Sequence, residues 1–302
     1  MSRVLGRPGT GAALTAARAA TLGALHGPLE LLPVSSSAHL ILLPRMLGWP
    51  YDGLPAAQRK AFEVAVHLGT AAGLGLALRR EVAVGLRDVG LRRTGEALLA
   101  LGPPVAVGAA LGAIIEERAS SPRSVAVTQV LAGLALAAAD RAPTVRRRLE
   151  PRDHLAAGLA QAAALVPGVS RGGAVLTAGR ARRLSRSAAA RLARESGGPV
   201  IVAAACREVA RLARGGVPGD LAAAFAAGAA ASFVSAAACA PLAYALDGLP
   251  SWRSFGVYRV AFGLFALWRL GSADGAAPAE APPQVGTEAL AAAPAPWGSM
   301  GR

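Results

Sequence analysis

Glu30-Leu-Leu-Pro33-Val-Ser35-Ser36-Ser37-Ala-His39 near the start of the chain, and Pro167-Gly168-Val-Ser170-Arg171-Gly172-Gly173 past its middle, are polar, turn-prone stretches set inside apolar sequence. In a bilayer, backbone that leaves the helix survives only where protein buries it or where it lines a watery cavity. Ionisable side chains at that depth are expensive and belong to working sites. Matching Pro/Ser/Gly interruptions in two halves of one membrane chain therefore point to a shared centre. The fold expected is all-α: a polytopic helical membrane protein whose two breaks form one site.

Composition agrees. The 302 residues are 53% hydrophobic and 17% charged, with a mean hydropathy of +0.42, too apolar for an ordinary soluble domain. The apolar runs are mostly Ala, Leu, Val and Gly, and Ala sits near neutral on insertion scales where Leu, Ile and Phe drive partition, so a soluble all-helical protein is the competing expectation. The net charge of +14 comes from 32 basic and 18 acidic residues. Its arginines gather between apolar runs and form no basic stripe with interleaved aromatics. That argues against nucleic acid and for topology determinants facing the cytoplasm and its anionic lipid. Cys206 and Cys239 lack metal-ligand spacing and are expected as thiols without a disulfide. Arg3, Arg7 and Arg18 interrupt the N-terminal sequence, which lacks a compact signal-peptide core, so the first apolar run is expected to be retained.

Residues 11–30 predict a helix running into the first break, and 40–47 continue it to Gly48-Trp49-Pro50. A span needs roughly 20 residues, and the short pieces on either side of the Pro33-Val-Ser-Ser-Ser break predict a re-entrant hairpin. Residues 61–78, 96–115 with a Pro103-Pro104 kink, and 124–139 predict spans. The arginine clusters in 79–93 and 141–152 must share one side, the cytoplasmic one, which puts loop 48–60 and the mouth of the first hairpin outside. Residues 155–178 repeat the design ahead of Arg180, Arg182, Arg183 and Arg186, and would enter from the opposite face as an inverted repeat does. Residues 199–213, 220–246 and 256–270 supply the remaining helices. Ala/Pro/Gly-rich sequence then predicts a disordered tail, dividing the chain into a helical domain, 1–270, and a tail, 271–302.

The stretch from His26 to His39 is similar to the first signature of the undecaprenyl-diphosphate phosphatase family, the bacterial lipid-carrier phosphatases linked to bacitracin resistance. Phe62-Glu63-Val-Ala-Val-His67-Leu-Gly69-Thr70 resembles a second stretch of that family, Pro167–Ala174 resembles its Pro-Gly-x-Ser-Arg-Ser-Gly-Ala signature, and Leu184-Ser-Arg186-Ser-Ala-Ala189 follows at the expected distance. The likeness runs from about residue 16 to 270. It departs at His26, where the family carries Glu or Gln, at His67 for Gln, and at Gly172 for Ser. The resemblance implies a multi-pass enzyme of the bacterial plasma membrane that hydrolyses undecaprenyl diphosphate to undecaprenyl phosphate and phosphate, recycling the carrier for cell-wall synthesis. Its expected partners are the polyprenyl diphosphate substrate and membrane lipid, with a homodimer as the expected assembly. The paired hairpins also suit a polyprenyl-phosphate transporter with reduced hydrolysis, and a divergent paralogue acting on another prenyl diphosphate stays open.

Diphosphate cleavage needs positive charge on the phosphoryl oxygens, an in-line nucleophile and a route for protons. Arg171 offers a planar fork for phosphate, against the simpler role of another topology arginine. Ser35, Ser36 and Ser37 follow Pro33 where a helix starts, so hydroxyls and backbone N–H groups there suit phosphate; plain helix capping is the alternative. By resemblance, Ser36 is the nucleophile or phosphate ligand. His39 stands three residues after Ser36, near one helical turn, where it can activate the hydroxyl or be simple hydrogen-bonded packing. Glu30 suits a general base or a ligand for a divalent cation, Mg²⁺ or Ca²⁺. The family's second acid would stand four residues earlier, where this chain has His26, a poorer ligand for such hard ions. Glu63 is a further candidate acid, or an interfacial helix-start residue. Gly168, Ser170 and Gly173 are expected to shape the phosphate-binding turn with Gly172. Tyr258 and Arg259 carry no catalytic expectation.

Overall fold

The computed structural model describes residues 13–87, 90–197 and 219–275. Among them the regular structure is helical: α1 (Ala16–Leu31), α2 (Ser36–Met46), α3 (Ala56–Ala77), α4 (Arg79–Arg87), α5 (Leu91–Ala119), α6 (Pro122–Ala139), α7 (Pro151–Ala163), α8 (Arg171–Ala181), α9 (186–197), α10 (Ala222–Cys239), α11 (Leu242–Ala245) and α12 (Arg253–Gly275).

Among the described residues three segments are long and apolar enough to cross a membrane: Leu91–Ala119, Pro122–Ala139 and Gly219–Cys239. α3 with the start of α4 makes a fourth candidate, bent by 80° where Arg79 and Arg80 begin. The most apolar window of α5 has a mean hydropathy of 2.1, yet only 11% of it is buried. Such a surface in water would be a large exposed apolar patch, so it faces lipid. The soluble alternative therefore falls, and the chain is an all-α polytopic membrane protein.

Helices approach one another through glycine. A Cβ on Gly23 of α1 would collide with the Gly228 carbonyl of α10, and one on Gly27 with the Ser235 hydroxyl. On α3, Gly69 and Gly73 lie against Ala229 and Phe233 of the same α10, and Gly133 of α6 meets Gly256 of α12. Without a hydrophobic drive between helices in lipid, such small-residue contacts supply close van der Waals packing.

Buried carboxylates gather arginines at the chain turns. Asp153, in the first turn of α7, accepts from both Arg146 nitrogens at 2.9 and 3.0 Å, from Arg182 at 2.5 Å and from the Glu150 N–H at 2.9 Å. Burial alone would raise its pKa, but these donors outweigh it and hold the group down at about 2. Asp140, following α6, accepts from Arg186 at 2.7 Å, Ser251 at 2.8 Å and the Trp252 N–H at 3.0 Å. Its pKa too is lowered against the effect of burial. Several expected topology arginines thus also tie loops together.

The helices differ from expectation in extent. The 220–246 run breaks after Cys239 into α10 and α11, and α12 continues to Gly275, into the segment assigned to the tail. Pro103 and Pro104 sit inside a single 29-residue helix. The remainder of the tail, the 199–213 helix, Cys206 and residues 1–12 lie outside the described residues. Cys239 is a free thiol.

Candidate active site

Each break ends in a serine held at positive φ. Ser35 (φ 69°) caps α2 by accepting from the Ala38 N–H at 3.4 Å, and Ser170 (φ 67°) caps α8 by accepting from the Gly173 N–H at 3.2 Å. A left-handed backbone is unfavourable for a side-chain-bearing residue and persists where surroundings over-determine it. Those surroundings are visible. Arg259 of α12, wholly buried, donates to the Pro33 carbonyl at 3.2 Å in the first break and to the Gly168 and Val169 carbonyls at 2.7 and 2.8 Å in the second. Gln129 of α6 donates to the Val34 carbonyl at 2.7 Å. The non-helical carbonyls that lipid would leave unsatisfied are paired inside the protein.

Glycines make this possible at two points. Gly168 has φ 98°, a conformation that favours glycine, with the Val125 carbonyl close by. A Cβ on Gly173 would sit 2.7 Å from an Arg259 nitrogen, so that glycine leaves room for the guanidinium. Gly172 differs: a Cβ there would meet no described atom within 4 Å.

Ser36 and Arg171 occupy the same place, one residue after each capping serine, and both reach Glu30 at the end of α1. The Ser36 hydroxyl donates to Glu30 Oε2 at 2.5 Å, and Arg171 donates to Oε1. The N–H groups of Ser36, Ser37, Arg171 and Gly172 precede the first intrahelical bonds, His39 N–H to Ser35 and Ala174 N–H to Ser170. Two helix N-termini thus flank one carboxylate, a setting that favours anions.

His39 is not brought to Ser36. Its Nδ1–H donates to the Ser35 carbonyl at 2.7 Å, which leaves Nε2 to accept from the Tyr258 hydroxyl at 2.7 Å, and its ring stacks on Phe262 with centroids 4.2 Å apart. It is a packed, doubly bonded side chain that positions Ser35. Ser37 lies beside Ser35, with hydroxyl oxygens 3.2 Å apart.

On the other side of Glu30 stand two imidazoles. His26 Nε2 and His67 Nε2 are 3.3 Å apart and lie 3.9 and 3.8 Å from Glu30 Oε2. With Glu30 they form the one group among the described residues able to hold a metal ion. The Glu63 carboxylate pairs with Lys60 at 3.1 Å and stays apart; its backbone carbonyl accepts from His67 Nδ1 instead. A donor set of two nitrogens and one carboxylate does not fit a resident Mg²⁺ or Ca²⁺, which favour shells of six or more oxygens.

A cavity of about 2050 Å³ joins Glu30, Pro33, Arg171 and Gly172 to Arg80, Arg92, Arg147, Arg191 and Arg194. Sequence reasoning missed Arg259, Tyr258, Gln129 and Thr70. An arginine in the middle of the apolar run 254–268 was the available signal for the first of these.

Residues 19–265 match the family model described as bacitracin resistance protein BacA. An undecaprenyl-diphosphatase of Pelotomaculum thermopropionicum is 38% identical over 234 residues, covering 72% of this chain and 83% of that protein. Undecaprenyl-diphosphatases of Chromohalobacter salexigens and Campylobacter curvus are 37% and 35% identical, each alignment covering 82% of this chain and 96% of the relative.

Proposed function

The chain belongs to the bacitracin resistance protein BacA family, and from that premise we propose that it is a membrane phosphatase hydrolysing undecaprenyl diphosphate to undecaprenyl phosphate and phosphate. The observation that carries the assignment to this site is the convergence of Ser36 and Arg171, from opposite halves of the chain, on Glu30. In the plasma membrane that activity recycles the lipid carrier for peptidoglycan synthesis and underlies bacitracin resistance.

The chemistry follows from the contacts. An arriving diphosphate competes with Glu30 for the Arg171 fork, since two charge-assisted bonds to phosphate match that fork's geometry. Glu30, released from Arg171, accepts the proton of Ser36, whose oxygen attacks the terminal phosphorus in line. The bond from phosphorus to the bridging oxygen breaks, undecaprenyl phosphate leaves, and water then hydrolyses the serine ester to free phosphate. Arg171 and the N–H groups of Ser36, Ser37 and Gly172 stabilise the charge on the transferring group. Ser35 and Ser170 hold the two N-termini in place, and His39 and Arg259 hold the breaks behind them. The prenyl chain would run from the cavity into lipid.

α2 and α8, of 11 residues each, rise roughly 16 Å, about half of the hydrocarbon core. That supports re-entrant hairpins from opposite faces in an inverted repeat. The arginine lining of the cavity supports an opening toward the cytoplasm, which favours a second reading: movement of the lipid phosphate across the membrane.

Phosphate release from the purified protein in detergent, given undecaprenyl diphosphate, tests the assignment. Ser36→Ala, Glu30→Gln and Arg171→Ala should each lose roughly 10²-fold or more of kcat. No release with any divalent cation, while labelled lipid still crosses proteoliposomes, would replace hydrolysis by transport. Cross-linking in the same preparation reads out the expected homodimer.

A further inference from the structure

We propose that His26, His67 and Glu30 bind a borderline transition-metal dication of the zinc(II) class, so that this chain's site selects imidazole-loving ions over magnesium or calcium. The proposal deepens the phosphatase reading, because Glu30 belongs to both groupings, but it stands on the donors themselves. Four-coordinate zinc with bonds near 2.0–2.1 Å sets its ligand atoms roughly 3.3–3.4 Å apart. The two imidazole Nε2 atoms are 3.3 Å apart, and the carboxylate oxygen is 3.8–3.9 Å from them. A shift of the Glu30 side chain by about half an ångström closes the triangle.

The hydrogen bonds behind the rings prepare them. His67 Nδ1 is 2.8 Å from the Glu63 carbonyl, which can only accept, so that nitrogen carries the proton and Nε2 faces the site as a lone pair. His26 Nδ1 is 2.8 Å from the Thr70 hydroxyl, inside a wholly buried environment. A hydroxyl accepts as readily as it donates. Without metal, Thr70 donates to His26 Nδ1 and the Nε2–H of His26 bridges to His67. With metal, Thr70 accepts from Nδ1–H and both Nε2 lone pairs turn to the ion. Backbone and hydroxyl partners of this kind are the usual orienters of metal-bound imidazole. His26 is one turn before Glu30 on α1, and His67 comes from α3, which the shared glycine packing against α10 holds beside it. Oε2, the oxygen facing the two imidazoles, also accepts from Ser36, and Arg171 engages the other carboxylate oxygen, Oε1.

The test uses the full chain, purified in detergent, stripped with chelator and titrated with Zn²⁺ or with Co²⁺ as a spectroscopic probe. One equivalent should bind, with the visible bands of a low-coordinate nitrogen/oxygen site, and millimolar Mg²⁺ or Ca²⁺ should not displace it. His67→Gln should weaken binding by ~100-fold or more and Thr70→Val by about 10–100-fold, whereas Arg171→Ala should retain it. His26→Glu, which replaces a nitrogen by oxygen, should shift preference toward Mg²⁺ and Ca²⁺, and it serves if His67→Gln fails to fold. Absence of a saturable equivalent, unchanged affinity in His67→Gln, or displacement of Zn²⁺ by equimolar Mg²⁺ overturns the proposal. Metal bound as expected with no phosphate release would remove the phosphatase reading and keep the metal site. Release with no transition metal bound would do the reverse.

Discussion

Replacing Arg259 by Met keeps the unbranched stem as far as the position of Nε and removes every donor. The Pro33, Gly168 and Val169 carbonyls then lose a charged partner in the interior, where Arg259 is fully enclosed. Each buried carbonyl left unpaired costs ~1–3 kcal/mol, partly offset because a guanidinium no longer has to be desolvated. A net loss of roughly 3–5 kcal/mol follows, in line with breaking one side of a buried charged contact. For a chain of this size that corresponds to a fall in apparent melting temperature of about 6–15 °C, read by thermal scanning in detergent. Activity should fall further than stability explains. The same guanidinium sets the position of one break relative to the other, and an error near 1 Å between Ser36 and Arg171 is worth roughly 10²-fold in kcat/KM. Arg259→Lys keeps the charge but not the fork, and should lie between the two. If Arg259→Met melts within about 2 °C of the parent and cleaves within about threefold of its rate, the breaks are not coupled through this residue.

Gly23→Val sets a branched side chain against the Gly228 carbonyl; we expect loss of folded protein on size exclusion, while Gly75→Val, where a Cβ meets no described atom within 4 Å, leaves the profile unchanged. Asp153, with a folded pKa of about 2 against an ordinary 3.8, contributes roughly 2 kcal/mol that is present above the unfolded value and lost as pH falls through the folded one. The melting-temperature gap between the parent and Asp153→Asn should therefore be constant from pH 7 to about 5 and shrink from about pH 4 to 2; a gap independent of pH contradicts the ion-pair account. Gly172→Ser enters open space on the first turn of α8, so it should fold normally, raise the melting temperature slightly through helix propensity, and change KM more than stability.

The breaks were legible because Pro, Ser and Gly in apolar sequence announce a chemical need, unsatisfied backbone in lipid, that few arrangements meet. The meeting of Glu30, Ser36 and Arg171 could be expected for the same reason: ionisable or hydroxyl groups at such points have few inert explanations. Their partners were not legible. Arg259 lies in an apolar helix far along the chain, and only the folded backbone shows that its fork spans both breaks. His39 shows where spacing stops being informative. Spacing puts it one turn from Ser36, but the Ser35 carbonyl and Tyr258 hydroxyl take both ring nitrogens, and hydrogen-bond capacity decides over proximity in sequence. Gly23/Gly27 and Gly69/Gly73 carry the four-residue spacing of close helix contacts in the bare sequence, yet that spacing does not say that α10 is the common partner.

Equivalent positions in the two breaks carry opposite chemical groups, a hydroxyl and a guanidinium. Ser36 and Arg171 each follow a serine in the left-handed region, and each stands at a helix N-terminus. The shared backbone geometry explains why both side chains reach one point; in the proposed mechanism the residue types let one half supply an oxygen nucleophile and the other a fixed cation. Glu30 links them before substrate binds, balancing Arg171 and orienting the Ser36 hydroxyl with one carboxylate. A buried guanidinium without that carboxylate would be an uncompensated charge, and a serine without it would have no nearby base. In the proposed mechanism substrate resolves both at once, because a phosphoryl group that takes over Arg171 releases Glu30 to accept the serine proton. On that mechanism the strength of the Glu30–Arg171 pair sets a threshold that only a ligand with at least the charge of a carboxylate can cross, which would tie proton transfer to the arrival of phosphate and keep the serine idle without it.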